Sequence, residues 1–219
     1  MSPIFYFRES QGKEKERAIR KGECRCLMTR KDWKQFTPFY FYTLLSLGLG
    51  VAAMISETRS LTNILFLCLT GVLTWGLVEY WLHRLVFHFD AQSEKGRNFV
   101  YAMHLSHHAN PKTMDDLFTG FRLSLPIALC YCSLAWALLR SWQAMVYLFI
   151  GLIAGYFSYE FLHYQAHHRA PRSRVFRYLK KYHLLHHHQT SELRFGVTSP
   201  LFDHLFGTFQ STQRNRTVS

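Results

Sequence analysis

Thirteen histidines occur in this chain, and none precedes residue 83. His83 and His88 lie in EYWLHRLVFH, and His104, His107 and His108 in HLSHH. His163, His167 and His168 lie in EFLHYQAHH, His183, His186, His187 and His188 in YHLLHHHQ, and His204 stands apart. A helix advances about 100° per residue, so side chains three or four positions apart share a face. His104/His107/His108, His163/His167 and His183/His186/His187 satisfy that spacing. His188 falls off the face of its group, and His168 off the face of His163 and His167. His83 and His88 are separated by about 140° on an ideal α-helix. They can serve one site only where the helix ends or distorts between them.

A lone histidine is ordinarily a packed or solvated side chain, but ten at ligand spacing indicate metal. Neutral imidazole suits iron, zinc, copper and nickel alike. Ten ligands exceed the shell of one ion and imply two. A structural zinc site more often brings cysteine, and Cys24, Cys26, Cys68, Cys130 and Cys132 all lie outside the histidine groups. Their positions in the N-terminal tail and the apolar runs also make a disulfide framework unexpected. Carboxylates stand where they could take the second N–H of a ligating ring: Glu79 four residues before His83, and Glu160 three before His163.

The elements that must position these groups are apolar. Residues 37–55, 60–78, 123–139 and 142–159 carry no charge, and each run is about the length a helix needs to cross a bilayer. The expected fold is an all-α integral membrane protein with four transmembrane helices and a histidine-rich helical cap holding a dimetal centre. The chain has 26 Lys and Arg against 14 Asp and Glu. The two short links between spans hold one arginine each. Apart from Arg122, the other cations lie in the N-terminal tail, the 83–116 loop and the C-terminal segment. The positive-inside rule therefore assigns those regions, the metal site and both termini to the cytosol. The basic charge is a topology signal, and no nucleic-acid partner is expected. Residues 1–36 read as a basic cytosolic tail on anionic headgroups, 37–209 as the membrane domain and 210–219 as a C-terminal tail. Phe176, Leu179 and Tyr182 precede His183 and His186 at helical spacing, which predicts an amphipathic surface helix with those residues on its inner face.

The series H-x4-H, H-x2-HH, H-x3-HH, H-x2-HH with four spans resembles the fatty acid hydroxylase/sterol desaturase superfamily. KKYHLLHHHQTSELRFGVTSPLFDHLFGT is similar to the closing segment of its fatty acid 2-hydroxylases, and EYWLHRLVFH and HHANPKTMDDL resemble their first two boxes, with extra residues near Asp115. The resemblance implies a membrane monooxygenase with two iron ions and O2 as co-substrate. It carries the metal ligands onto His83, His88, His104, His107, His108, His163, His167, His183, His186 and His187; Glu79, Glu160, His168 and Asp203 are expected around them. The implied substrate is a free or lipid-linked fatty acyl chain, hydroxylated at the 2-position. Yeast and animal members carry a cytochrome b-type haem domain. With no histidine before residue 83, this chain resembles the shorter forms, and its electrons are expected from a separate electron-transfer protein. The implied location is a bacterial inner membrane or the endoplasmic reticulum. Zinc could fill the site of purified protein, but it has no redox chemistry. Sterol, carotenoid or ornithine-lipid oxygenation is the alternative within the superfamily. A metal transporter would need ionisable groups along its path, and the four runs offer none.

Overall fold

The computed structural model describes residues 35–113 and 117–212. Asp115 and the tail before residue 35 lie outside the described residues, so the expectations placed on them are not addressed by it. Four helices are long and apolar enough to cross a membrane. Helix α1 is Thr37–Ile55, and α2 is Leu61–Leu82, continuing as a π-helix over His83–Phe87. Helix α3 (Glu94–Val100) passes through a second π-helix, Tyr101–Leu105, into the short α4, Ser106–Ala109. Helices α5 (Gly120–Leu139) and α6 (Trp142–His168) are the other two spans. The amphipathic α7 (Arg174–His188) and the short α8 (Leu201–Leu205) complete the chain.

Serine hydroxyls start four of these helices: Ser60, Ser93, Ser141 and Ser173 accept the N–H of Asn63, Gly96, Ala144 and Phe176, each satisfying a donor that the first turn leaves open. At the end far from the histidines, Arg59 ties the two short links together, bonding Glu57 at 3.0 Å and Ser141 at 2.7 Å. Helix α6 is the axle. Most of its span is buried, whereas α1, α2 and α5 turn most of theirs outward. That is the arrangement expected where lipid covers the outer helices and protein covers the inner one.

Glycine allows α2 and α6 to touch. A Cβ on Gly151 would lie 2.0 Å from the Cys68 carbonyl oxygen, and one on Gly71 would lie 2.2 Å from that of Leu148. At Gly155 it would meet Trp75 Cβ at 2.5 Å. The two backbones run in van der Waals contact, so their histidine-bearing ends are held at a fixed separation.

Spans two and four extend beyond the uncharged runs. The first carboxylates, Glu79 and Glu160, do not end their helices. Both are buried inside the bundle, and the rods continue unbroken to the histidines. In α7, Leu179, Tyr182, His183 and His186 are buried as expected. Phe176 shares that stripe but is not buried. It is 37% exposed and meets the ring of Phe161, itself exposed, edge-on at 6.2 Å.

Gly151→Leu should force α2 from α6. Overpacking of this kind costs about 1–3 kcal/mol or more. The expected result is a lower unfolding temperature together with loss of bound metal, because His83 and His163 ride on the two separated helices. Metal analysis alongside thermal unfolding in detergent checks this.

Candidate metal centre

Two π-helical turns aim the first two histidine groups. In π geometry the backbone bonds run from i to i+5, and such turns often mark functional sites. The His83–Phe87 turn closes at His88, which has left helical geometry (φ −110°, ψ 23°). The five-residue spacing that an α-helix would spread over 140° thus brings both rings inward, with centroids 5.1 Å apart. The second π turn carries His104, and α4 carries His107 and His108. Helix α6 supplies His163 and His167, and α7 supplies His183, His186 and His187.

The ten rings form two clusters of five. His83, His88, His104, His108 and His186 make one; His107, His163, His167, His183 and His187 make the other. Within each, the candidate ligand atoms all lie within 4.8 Å of one another. Nε2 faces Nε2 at 3.0 Å in His83–His104, His104–His108 and His88–His186. In the second cluster the contacts are 2.9 Å for His107–His163 and His167–His183, and 3.0 Å for His107–His167 and His183–His187. The clusters abut where His108 and His187 stack at 4.0 Å, 12° from parallel. His88, His108, His167 and His187 are partly exposed and mark the open side, while the other six are buried.

This donor set fits two metal ions. Two nitrogens bonded at about 2.1 Å to one ion and about 90° apart lie about 3.0 Å from each other, whereas tetrahedral angles open that distance to about 3.4 Å. The observed spacings match nitrogens about 90° apart on one ion, with five donors available in each cluster. The tautomers agree with this. A neutral imidazole donates from one nitrogen and accepts at the other. Nδ1–H of His83 donates to the Phe195 carbonyl at 2.6 Å, that of His186 to Leu193 at 2.7 Å, and that of His163 to Leu117 at 3.2 Å. In each ring the lone pair is thereby left on Nε2, facing the cluster.

Those carbonyls correct the expectation for the carboxylates. Neither Glu79 nor Glu160 takes a ring N–H. Glu79 accepts the N–H of Val197 and Thr198 and the Thr198 hydroxyl, at 2.5, 2.9 and 2.7 Å. Glu160 accepts the N–H and hydroxyl of Thr119 at 2.9 and 2.7 Å. Each carboxylate pins a loop, and the carbonyl two or three residues earlier in that loop orients the histidine one turn beyond the carboxylate. Asp203 works on the same C-terminal loop, accepting from Phe195 N–H, Gly196 N–H and the Thr208 hydroxyl, each at 2.8 Å.

His168, expected around the ligands and not among them, lies outside both clusters. Among the described residues it makes no hydrogen bond to any of the ten. It stacks on Tyr164 at 5.2 Å. His188 is exposed, and His204 stacks on Phe209 at 3.6 Å. Sequence reasoning missed Leu117, Leu193 and Phe195, because a backbone carbonyl has no residue-type signature. A faint signal lay in the threonines: Thr119 and Thr198 each stand two or three residues after one of these carbonyls.

Burial pushes the ligand imidazoles of the cap toward the neutral form. It lowers His88 and His107 to about 4, His186 to about 3 and His108 to about 2. For His104, His183 and His187 the shift has the same direction and cause, with neighbouring histidines adding to it. Neutral rings at pH 7 are ready ligands.

The chain belongs to the fatty acid hydroxylase family, whose model matches residues 68–208. It is 36% identical over 168 residues to dihydroceramide fatty acyl 2-hydroxylase FAH1 of Arabidopsis thaliana, covering 76% of this chain and 70% of that protein. Ceramide very long chain fatty acid hydroxylase SCS7 of Saccharomyces cerevisiae is 39% identical over 154 residues, 66% of this chain and 38% of the yeast protein. Among solved structures, full-length scs7p, with only its hydroxylase domain visible, superposes with a TM-score of 0.72 at 31% identity over 82% of this chain and 68% of that one.

Two predictions follow the geometry. Glu79→Gln would turn an amide toward backbone donors and release the Phe195 carbonyl from its register. Metal affinity should fall about 10–100-fold, as for other outer-shell partners, while His188→Ala should leave it unchanged; titration against a metal-buffering chelator reads both. The second concerns acid. The unfolded chain takes up histidine protons near pH 6.5, whereas the folded one resists until about 4 at His88 and His107. The unfolded state therefore binds more protons in that window, so stability is complete above pH 6.5 and is lost as pH falls from 6.5 toward 4. Thermal unfolding of metal-stripped protein across that range should show the loss, and a flat profile would contradict it.

Proposed function

We propose that the chain is a membrane monooxygenase that hydroxylates a fatty acyl chain at the carbon next to the carbonyl. The observation that carries this reading is the pair of abutting five-histidine clusters, built on spans of a fatty acid hydroxylase family member. The named activities of the plant relatives supply the position. The balance is one C–H, one O2, two electrons and two protons giving one C–OH and one water, with a separate one-electron carrier protein as the reductant. Bound at the two clusters, two iron ions would supply O2 reduction and cleavage of the unactivated C–H bond.

The chain's own residues do the rest. The ten histidines hold and space the ions. The carbonyls of Leu117, Leu193 and Phe195 fix the orientation of three of the rings, and the buried faces of α2, α6 and α7 keep water from six of them. Depth supports attack near the carboxyl end of the substrate. His83 and His163 follow the apolar stretches of their spans within a few residues, so the ions would sit at the level of lipid headgroups, with the acyl tail among the helices. A cavity of about 740 Å³ opens beside His167, lined by Arg169, Lys180, Leu184 and Leu185 among others. It gives a polar head group room on the outer side of the same site. The distribution of Lys and Arg supports the cytosolic face for the clusters.

The test is expression in a host without 2-hydroxy lipids, under labelled O2, followed by mass spectrometry of released acyl chains. Label at the 2-position that disappears in His107→Ala and His186→Ala is the expected outcome. Label found only in a sterol, a carotenoid or a polar head group would move the protein to another branch of the superfamily.

A further inference from the structure

The segment after α7 does not lie on top of the bundle. Val197 belongs to the buried core cluster that also contains Tyr42, Trp75, Tyr156 and Tyr159 of three spans. Phe202 of α8 packs against Gly76, where a Cβ would meet its ring at 3.0 Å. Phe206 stacks on Tyr80 at 5.1 Å and lies 4.9 Å from Trp81. The depth of these contacts can be read across the bundle. The ring of Trp75 meets Tyr156 at 5.2 Å, and Tyr156 meets Phe39 and Tyr42 at 6.0 Å each. Helix α1 begins at Thr37, so the Phe202 end of α8 rests on α2 at the level of the first two turns of α1, and its Phe206 end about one turn nearer the histidines.

The hydrogen bonding of this segment fits that depth. Irregular backbone survives in the apolar layer only where its polar groups are satisfied within the protein. Four consecutive N–H groups, from Phe195 to Thr198, all point at carboxylates: the first two at Asp203 and the second two at Glu79. Both carboxylates are buried, at 0% and 3% exposure. At Gly196 a Cβ would lie 2.1 Å from the Ser199 carbonyl oxygen, so the turn is too tight for any side chain. The outer face of α8 nevertheless leaves Leu201 52% and Leu205 68% exposed, beside an exposed His204 whose ring stacks on Phe209 at 3.6 Å. It continues the outward face of α2, where Leu69 and Leu73 are 56% and 49% exposed.

We infer that residues 194–209 form a re-entrant wedge, and that Leu201 and Leu205 contact the acyl chains of the leaflet on the histidine side. The occupant is lipid because the face is continuous with that of a membrane span, beginning about one turn beyond Leu73. The wedge ties the bilayer to the site, since the carbonyls that orient His83 and His186 come from residues 195 and 193, at its root. It extends the cap below the headgroups on that side, and it holds whatever reaction the clusters perform.

The experiment uses the full chain in lipid nanodiscs of phosphatidylcholine, with a photoreactive benzoylphenylalanine at Leu201, Leu205, Leu69 or Gln189. Leu69 is the lipid-facing control, and Gln189 is the exposed control at the end of α7. Mass spectrometry after illumination should find acyl-chain adducts at 201 and 205 in yields close to those at 69, and none at 189. Adducts at 69 with none at 201 or 205 would overturn the wedge, as would equal yields at 189. Metal content gives a second reading: Leu205→Asp should lose more than half of the bound metal while Leu205→Phe keeps it. Full occupancy in Leu205→Asp would overturn the coupling between bilayer and site.

Discussion

Neutral imidazoles do not pack lone pair against lone pair without cause. Three of the ten rings are locked, by a backbone carbonyl on Nδ1, into the tautomer that puts a lone pair on Nε2, and those nitrogens meet others at 2.9–3.0 Å. Such contacts repel unless a proton or a cation lies between them. A neutral partner in its Nε2–H tautomer could satisfy one such contact, but His104 and His107 each meet two other Nε2 atoms, more than one N–H serves well, whereas a cation at the centre satisfies all of them. The architecture around the rings is best understood as what it takes to hold this unfavourable arrangement ready: two spans in backbone contact at Gly71 and Gly151, two π turns, and two loops pinned by buried acids.

The two halves solve the same problem in the same way. A glutamate one turn before the first inward histidine of its span binds a threonine in a distant loop, and a carbonyl just upstream of that threonine takes the ring N–H. Glu79, Thr198, Phe195 and His83 form one such set; Glu160, Thr119, Leu117 and His163 form the other. The indirect route has a physical reason. A buried carboxylate needs several donors to offset its desolvation, and a single imidazole N–H is not enough. A loop offers two backbone N–H groups and a hydroxyl at Glu79, and one of each at Glu160. The loop then returns a neutral carbonyl to the ring.

Much of this was legible in the sequence. Charge-free runs located the four spans, and i, i+3 and i, i+4 spacing selected three of the four histidine groups and set aside His188. Glu79 and Glu160 stand just past the charge-free runs, and their loop partners, 118 and 41 positions away, are not legible locally. The separation of His83 and His88 demanded a distortion, but spacing could not say that it would be a π turn. The carbonyl partners were invisible in principle, since every residue has one. The angle of His168 placed it off the face of His163 and His167, and it lies outside both clusters. The depth of the C-terminal segment depends on packing against Gly76 and Tyr80, which no local pattern reports.

The central claim is that the ten histidines are two five-ligand sets for two ions. Anomalous diffraction at the iron edge from active, iron-loaded protein tests it most directly. The account predicts two peaks, one within each cluster, each bonded to the five Nε2 atoms of its own set. A single peak shared between the clusters, or peaks bonded to residues outside the ten, would contradict it.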